Sequence, residues 1–233
     1  MMSPTRVVLA TPHSRYDALE RALRAVHGLD VLRVRTPGEL NPEDLERFAP
    51  GYVFFPHWSS KIPAQIFERF ESIIFHMTDV PFGRGGSPLQ NLVMRGIETT
   101  RLSALRCAAD LDAGPVYLKR DLSTLGTAEE VFLRAARLME AMIVDIVTQR
   151  IQPTPQAGEV TAFRRRTPAD GNLLPAANLD VAYDMIRMLD GDGYPPAFLE
   201  AGGFRYEFTR ASHRGGHVVA DVRIVPINAK EPS

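Results

Sequence analysis

His76 is the residue of this chain best placed to do chemistry. It closes an apolar run, SIIFH (72–76), and opens a tight, glycine-bearing loop, HMTDVPFGRGGSP (76–88). An imidazole at a strand end can take up or hold a proton near neutral pH. It needs a carboxylate to fix its tautomer and favour its charged form. Asp110 and Asp112 stand in a later stretch of the same kind, AADLDAG (108–114), and a second histidine, His57, follows YVFFP (52–56). Set against a proton-handling role for His76 is a packing one, in which it only satisfies a buried backbone carbonyl.

Elements able to position these groups are written along the chain. RVVLA (6–10), DVLRVR (30–35), GYVFFPHWS (51–59), SIIFH, RLSALRCAAD (101–110) and GPVYLKRDLS (114–123) read as strands. Helical spacing appears in SRYDALERALRAVH (14–27, capped by Ser14 or Asp17), PEDLERF (42–48), IPAQIFERF (62–70), SPLQNLVMRG (87–96) and TAEEVFLRAARLMEAMIVDIVTQR (127–150). The last opens with Thr127 and Glu130, a capping box. Strands alternating with helices predict an α/β fold: a mostly parallel Rossmann-like sheet with helices on both faces. A core over 1–152 is followed by a small C-terminal region over 153–233. That region holds a polar loop (153–172), a helix (179–191) and β-hairpins turning at Gly202-Gly203 and Gly215-Gly216. Ligands of open α/β sheets sit beyond the carboxyl ends of strands. His57, His76, Asp110 and Asp112 are therefore expected around one crevice. The first strand–helix turn, ATPHSRY, has no glycine, so a dinucleotide is not expected there.

Bulk properties narrow the function. The 233 residues carry a net charge of −1, with 45% hydrophobic and 24% charged residues. That balance gives no electrostatic footprint for nucleic acid or an anionic membrane. No run approaches a membrane span, and the N-terminal stretch lacks the form of a signal peptide. One cysteine, Cys107, excludes internal disulfides and predicts a cytoplasmic setting. No CxxC or HxxxH pair suggests a metal.

The loop 76–88 resembles HGSLLPxxRGxxP of the 10-formyltetrahydrofolate-dependent formyltransferases, which include methionyl-tRNA formyltransferase and the sugar N-formyltransferases. His76, Pro81, Arg84, Gly85 and Pro88 fall on the pattern without a gap, and Thr78 stands where the pattern has serine. DLDAG resembles the family's (A/G)LDTG, and Asp112 lies 36 positions after His76, the family's spacing. The resemblance runs from about 50 to 150, and FRRRTPADGN with YDMIRMLDGDGYPPAFLEAGGF is similar to the later part of sugar N-formyltransferases.

The resemblance implies formyl transfer from 10-formyltetrahydrofolate to an amine. His76 then handles the amine proton and Asp112 tunes it, with His57 as a further catalytic residue. Pro56, Trp58, Thr78, Arg84, Gly85 and Asp110 fall on the folate side, although Asp110 can instead cap its own loop. The implied acceptor is a small-molecule amine, a nucleotide-linked amino sugar, with no nucleic acid or membrane partner and with a possible homodimer. Arg164–Arg166 either pairs with a diphosphate or is a solvated run. One departure is Ile74, where the family has an asparagine that donates to the formyl oxygen. Loss of such a donor lowers rates by about 10²–10³-fold. His57, Thr78, Asn91, backbone or water then substitutes, or the chain is a formyltetrahydrofolate hydrolase or a degenerate binding protein.

Overall fold

The apolar run at the start of the chain makes an interior strand, β1 (Thr5–Ala10), in which Val7, Val8, Leu9 and Ala10 are fully buried. In the computed structural model, which describes residues 4–227, it is followed by α1 (Asp17–Ala25), β2 (Leu29–Val34), α2 (Pro42–Phe48), β3 (Tyr52–Phe55), α3 (Ala64–Phe67) and β4 (Ser72–His76). Then come β5 (Arg84–Gly85), α4 (Pro88–Val93), β6 (Thr99–Arg106), β7 (Val116–Ser123), α5 (Ala128–Gln149), β8 (Ala162–Phe163) and α6 (Leu179–Arg187). β9 (Ala197–Ala201), β10 (Phe204–Arg214) and β11 (His217–Pro226) end the described chain.

Two units result. Of the described residues, the first comprises 4–85, 100–122 and 133–162; the second comprises 86–99, 123–132 and 163–227. A six-stranded sheet in the order β2-β1-β3-β4-β6-β7 organises the first. β1 pairs in parallel with β2 and β3, and β3 in parallel with β4, whereas β6 runs antiparallel to β4. The sheet is therefore mostly parallel, as the alternation of elements predicts. Because β2 and β3 lie on opposite sides of β1, the chain reverses its direction of winding there, which is where doubly wound folds open a crevice. Val8, Ala10, Val53, Phe55, Leu45 and Ile66 centre a buried cluster, against which Trp58 and Ile74 pack.

α1 starts later than its spacing predicts. A 3-10 turn over Ser14–Tyr16 runs straight into it, so neither Ser14 nor Asp17 caps it through its side chain. Asp17 instead sits in the first turn, where a carboxylate suits the helix dipole. α3 is a single turn after Pro63 rather than the helix read over 62–70.

In the second unit the capping box forms: Thr127 N–H donates to Glu130 Oε2 at 2.8 Å and Glu130 N–H to Thr127 Oγ1 at 3.2 Å. Asn178 Oδ1 caps α6 by accepting Val181 N–H. The strands β11-β10-β9 form an antiparallel sheet against which α6 packs. Its first turn places Gly202 and Gly203 at φ of +59° and +81°, conformations open to glycine at no steric cost. Among the described residues no helix is long and apolar enough to cross a membrane.

Candidate active site

β4 delivers His76 from between β3 and β6: Ile74 is level with Phe55 and Leu105, and His76 with Ser103. The period of two puts Ile74 and His76 on one face of β4. His76 Nδ1 lies 3.5 Å from Asp112 Oδ2, with the two side chains 7% and 8% exposed. On the other side of the ring, Nε2 lies 2.8 Å from the Gly83 carbonyl oxygen. A carbonyl only accepts, so Nε2 carries a hydrogen and donates it there. Thr78 Oγ1 donates to the same carbonyl at 3.3 Å, and Ser103 Oγ donates to Thr78 O at 2.7 Å. The loop after β4 is thereby tied both to the imidazole and to the neighbouring strand.

Asp112 has φ of +52°. Aspartate tolerates this left-handed conformation better than most residues. Its turn closes when Ala113 N–H donates to Asp110 O. Oδ2 also accepts Gly85 N–H at 2.9 Å, so one carboxylate oxygen addresses both the imidazole and the loop that carries Gly85. Gly114 fixes the turn against β6, since a Cβ there would come within 1.8 Å of the Arg106 carbonyl oxygen.

The other expected site residues are placed as follows. His57 has φ of +49°, and its ring lies 4.5 Å from that of His13, which belongs to the loop after β1. Tyr16 meets it edge-on at 6.4 Å. The strand order puts β1 and β4 on opposite sides of β3. His57 therefore leans toward the β1–β3 reversal, whereas His76 pairs with Asp112. Burial, then the neighbouring His13 and Arg15, hold His57 down to about 3, so it is a neutral imidazole at physiological pH. Pro56 is buried, and Trp58 packs edge-on against Phe55 at 5.8 Å. Asp110 is exposed and serves its turn through its carbonyl. Arg84 donates through Nε and Nη2 to Gln156 Oε1 at 3.1 and 2.8 Å. In the second unit, Asn91 Nδ2 donates to the carbonyls of Gly86, Ser87 and Arg164, so its amide is committed to loop structure. Arg164 pairs with Asp170 and Arg166 donates to the Asp170 carbonyl, which accounts for two members of the arginine run structurally.

Gln156 and Thr161 have no part in the sequence reading, which treats 153–172 as polar loop. Gln156 Nε2 donates to Asp112 O and Gly114 O, each at 2.8 Å. Thr161 Oγ1 accepts Gly83 N–H, its carbonyl accepts Arg84 N–H, and its own N–H donates to Pro81 O. No local sequence signal sets these two apart from the other polar side chains of the stretch.

A mostly parallel sheet with a buried histidine–carboxylate pair beyond an interior strand is the layout of an α/β enzyme. The chain is 43% identical to a solved protein described as methionyl-tRNA formyltransferase from Clostridium thermocellum, over 95% of this chain and 99% of that one, with a TM-score of 0.93. It belongs to the formyltransferase family. Residues 168–225 match the family model described as methionyl-tRNA formyltransferase, C-terminal domain. The curated methionyl-tRNA formyltransferase of Wolinella succinogenes is 26% identical over 78% of this chain, which spans 63% of that relative's length. A solved 4-N formyltransferase from Francisella tularensis, 12% identical, shares the fold with a TM-score of 0.67 over 98% of this chain and 99% of that one.

Proposed function

We propose that this chain transfers a formyl group from 10-formyltetrahydrofolate to an amine, with His76 and Asp112 at the reacting atoms. The observation that carries the reading is the buried pair, Nδ1 to Oδ2 at 3.5 Å, in a chain so similar to a described formyltransferase. The donor set suits this chemistry. An imidazole, a carboxylate and the main-chain groups of a glycine-bearing loop are proton-handling and anion-stabilising groups. Thr78, Arg84 and Gly85, with Pro56 and Trp58, are the residues that would hold the folate. When bound, it supplies the formyl carbon, which exchanges its folate nitrogen for the nitrogen of the acceptor. His76 would donate a hydrogen bond from Nε2 where negative charge develops, and the proton shed by the attacking amine would be handed on to the folate nitrogen as its bond to the formyl carbon breaks. Asp112 stabilises the ring in its charged form, and His57 offers a neutral imidazole at the β1–β3 reversal.

The acceptor we favour is a small amine on a nucleotide-linked sugar, in keeping with a net charge of −1, which offers a polyanion little attraction. A second reading, an aminoacylated tRNA, is favoured by the described activity of the 43% identical protein. The single cysteine suits a cytoplasmic setting. Release of tetrahydrofolate from 10-formyltetrahydrofolate tests the reading. It is measured with a panel of amino-sugar nucleotides, with methionyl-tRNA, and with neither. Release that requires an amino sugar supports the proposal, and release that requires methionyl-tRNA supports the second reading. Release without an acceptor marks a hydrolase, and folate binding without turnover marks a binding protein; either would overturn formyl transfer to an amine.

A further inference from the structure

We infer that Gln156 is a positioning residue for the His76–Asp112 pair, an inference that rests on the reaction proposed above. Its amide is used on both sides. Nε2 donates its two hydrogens to the carbonyls of Asp112 and Gly114, and Oε1 accepts two hydrogens from the Arg84 guanidinium. The orientation of the amide follows from its partners. Carbonyls only accept and a guanidinium only donates, so exchanging the amide's O and N would set like against like at all four contacts. No other neutral side chain of this length presents a two-hydrogen donor beside a two-lone-pair acceptor.

What the amide joins gives it this role. The turn it holds carries Asp112 in a left-handed conformation whose Oδ2 faces His76 Nδ1. The arginine it holds precedes Gly85, whose N–H donates to that same Oδ2. One side chain thus clamps the backbone of the carboxylate from one side and the loop that orients the carboxylate from the other. A carboxylate 3.5 Å from its imidazole sits at the edge of useful contact. A displacement of about 1 Å at such a site costs about 10²-fold in rate. Gln156 itself touches neither His76 nor the Asp112 carboxylate in its hydrogen bonding, so it acts through the turn.

Two substitutions separate its arms. Gln156→Glu keeps an acceptor for Arg84 and removes both donors to the turn, whereas Gln156→Met removes all four bonds. Both are expected to lower kcat by about ten- to a hundredfold, and Gln156→Glu, which leaves Arg84 its acceptor, to keep KM for folate and acceptor within about twofold. In protein labelled with 15N-histidine, the ring signals of His76, assigned with His76→Asn, are expected to move in Gln156→Glu while those of His57 do not. Unchanged kcat and unmoved His76 signals in Gln156→Glu overturn the inference, as does a native rate in Gln156→Glu beside a slow Gln156→Met, which would assign the effect to Arg84. A rise in KM matching the fall in kcat/KM in Gln156→Glu also overturns it, since Gln156 would then act in binding. Should Gln156→Met fail to fold, Gln156→Glu decides alone. His76→Asn, measured alongside, separates this inference from the reaction: a His76→Asn enzyme at native rate sinks the reaction itself, and an inactive one beside active Gln156 variants sinks only the role of Gln156.

Discussion

His76 Nε2 and the Gly83 carbonyl oxygen are 2.8 Å apart, and this contact defines what the imidazole can do. The ring already donates from Nε2, while its Nδ1 faces the Asp112 carboxylate. In this state Nε2 is a hydrogen-bond donor and not a base. For Nε2 to serve an incoming oxygen or amine, it must exchange the Gly83 carbonyl for that group. A carbonyl held also by Thr78 Oγ1 can be released without leaving its lone pairs bare. The packing role considered for His76 and the proton-handling one are thus compatible, with the carbonyl as the resting partner.

His76→Asn and Asp112→Asn should each lower turnover by about 10²–10⁴-fold, the range for losing a positioned acid–base group. Asp112→Asn keeps an oxygen for Gly85 N–H and removes only the charge facing Nδ1, so it should melt near the native temperature. Tetrahydrofolate release and a thermal melt on each variant check this. Near-native rates in both would remove the pair from the reaction.

Gly114→Ala tests the turn that carries Asp112. A Cβ 1.8 Å from the Arg106 carbonyl oxygen cannot be absorbed by a rotamer change, because the obstacle is backbone. The turn must move away from the end of β6. The expected cost lies at the upper end of overpacking, about 3 kcal/mol, with turnover falling further than stability alone explains. Urea unfolding and single-turnover rates on the folded fraction separate the two.

His57 gives the protein a specific acid sensitivity. Its imidazole is held down to about 3 by burial, with His13 and Arg15 adding to the effect. The unfolded chain binds a proton here below about pH 6.5, whereas the folded chain refuses it until near pH 3. Stability is therefore unaffected above pH 6.5, falls as the pH drops from there, and levels off near pH 3. The slope approaches about 1.4 kcal/mol per pH unit for one group. Unfolding free energies of the native chain and His57→Gln, compared from pH 7.5 to 4.5, should diverge in this window, with the native chain losing more.

How far the chain could be read from residues alone differs from element to element. β1, β4 and α5 announce themselves, because burial within the sheet and helical periodicity leave continuous or regularly spaced apolar residues. Thr127 and Glu130 mark a helix start through contacts three residues apart, so local sequence contains them. Strand ends alone do not explain the meeting of His76 with Asp112: β6 runs antiparallel to β4 and ends level with Ile73, and the turn after it carries Asp112 to within 3.5 Å of the His76 ring. Gln156 was not approachable from the sequence. Its partners lie 44 and 72 positions away, on two different loops, and nothing near it in sequence requires an amide. The lean of His57 toward His13 was hidden for a similar reason: it depends on a left-handed φ at a residue with no local signal for one.

Ile74 offers the sharpest test of how this site treats the formyl oxygen. It shares a face of β4 with His76 and packs against the cluster centred on Phe55 and Ile66. The resemblance to the family expects an amide donor at this position. Of the side chains named as substitutes, His57 has its ring 4.5 Å from that of His13, Thr78 Oγ1 donates to the Gly83 carbonyl, and Asn91 Nδ2 donates to three carbonyls. Ile74→Asn exchanges a half-buried apolar side chain for a polar one, and should cost about 1–3 kcal/mol of stability. An added donor beside His76 should raise kcat in the folded fraction by about tenfold or more, toward the 10² that one such donor is worth elsewhere. Pre-steady-state formyl transfer, normalised to folded protein, is the measurement. A rate that stays level or falls would mean that another donor already fills the place, and Ile74 would then be a residue of the core and nothing else.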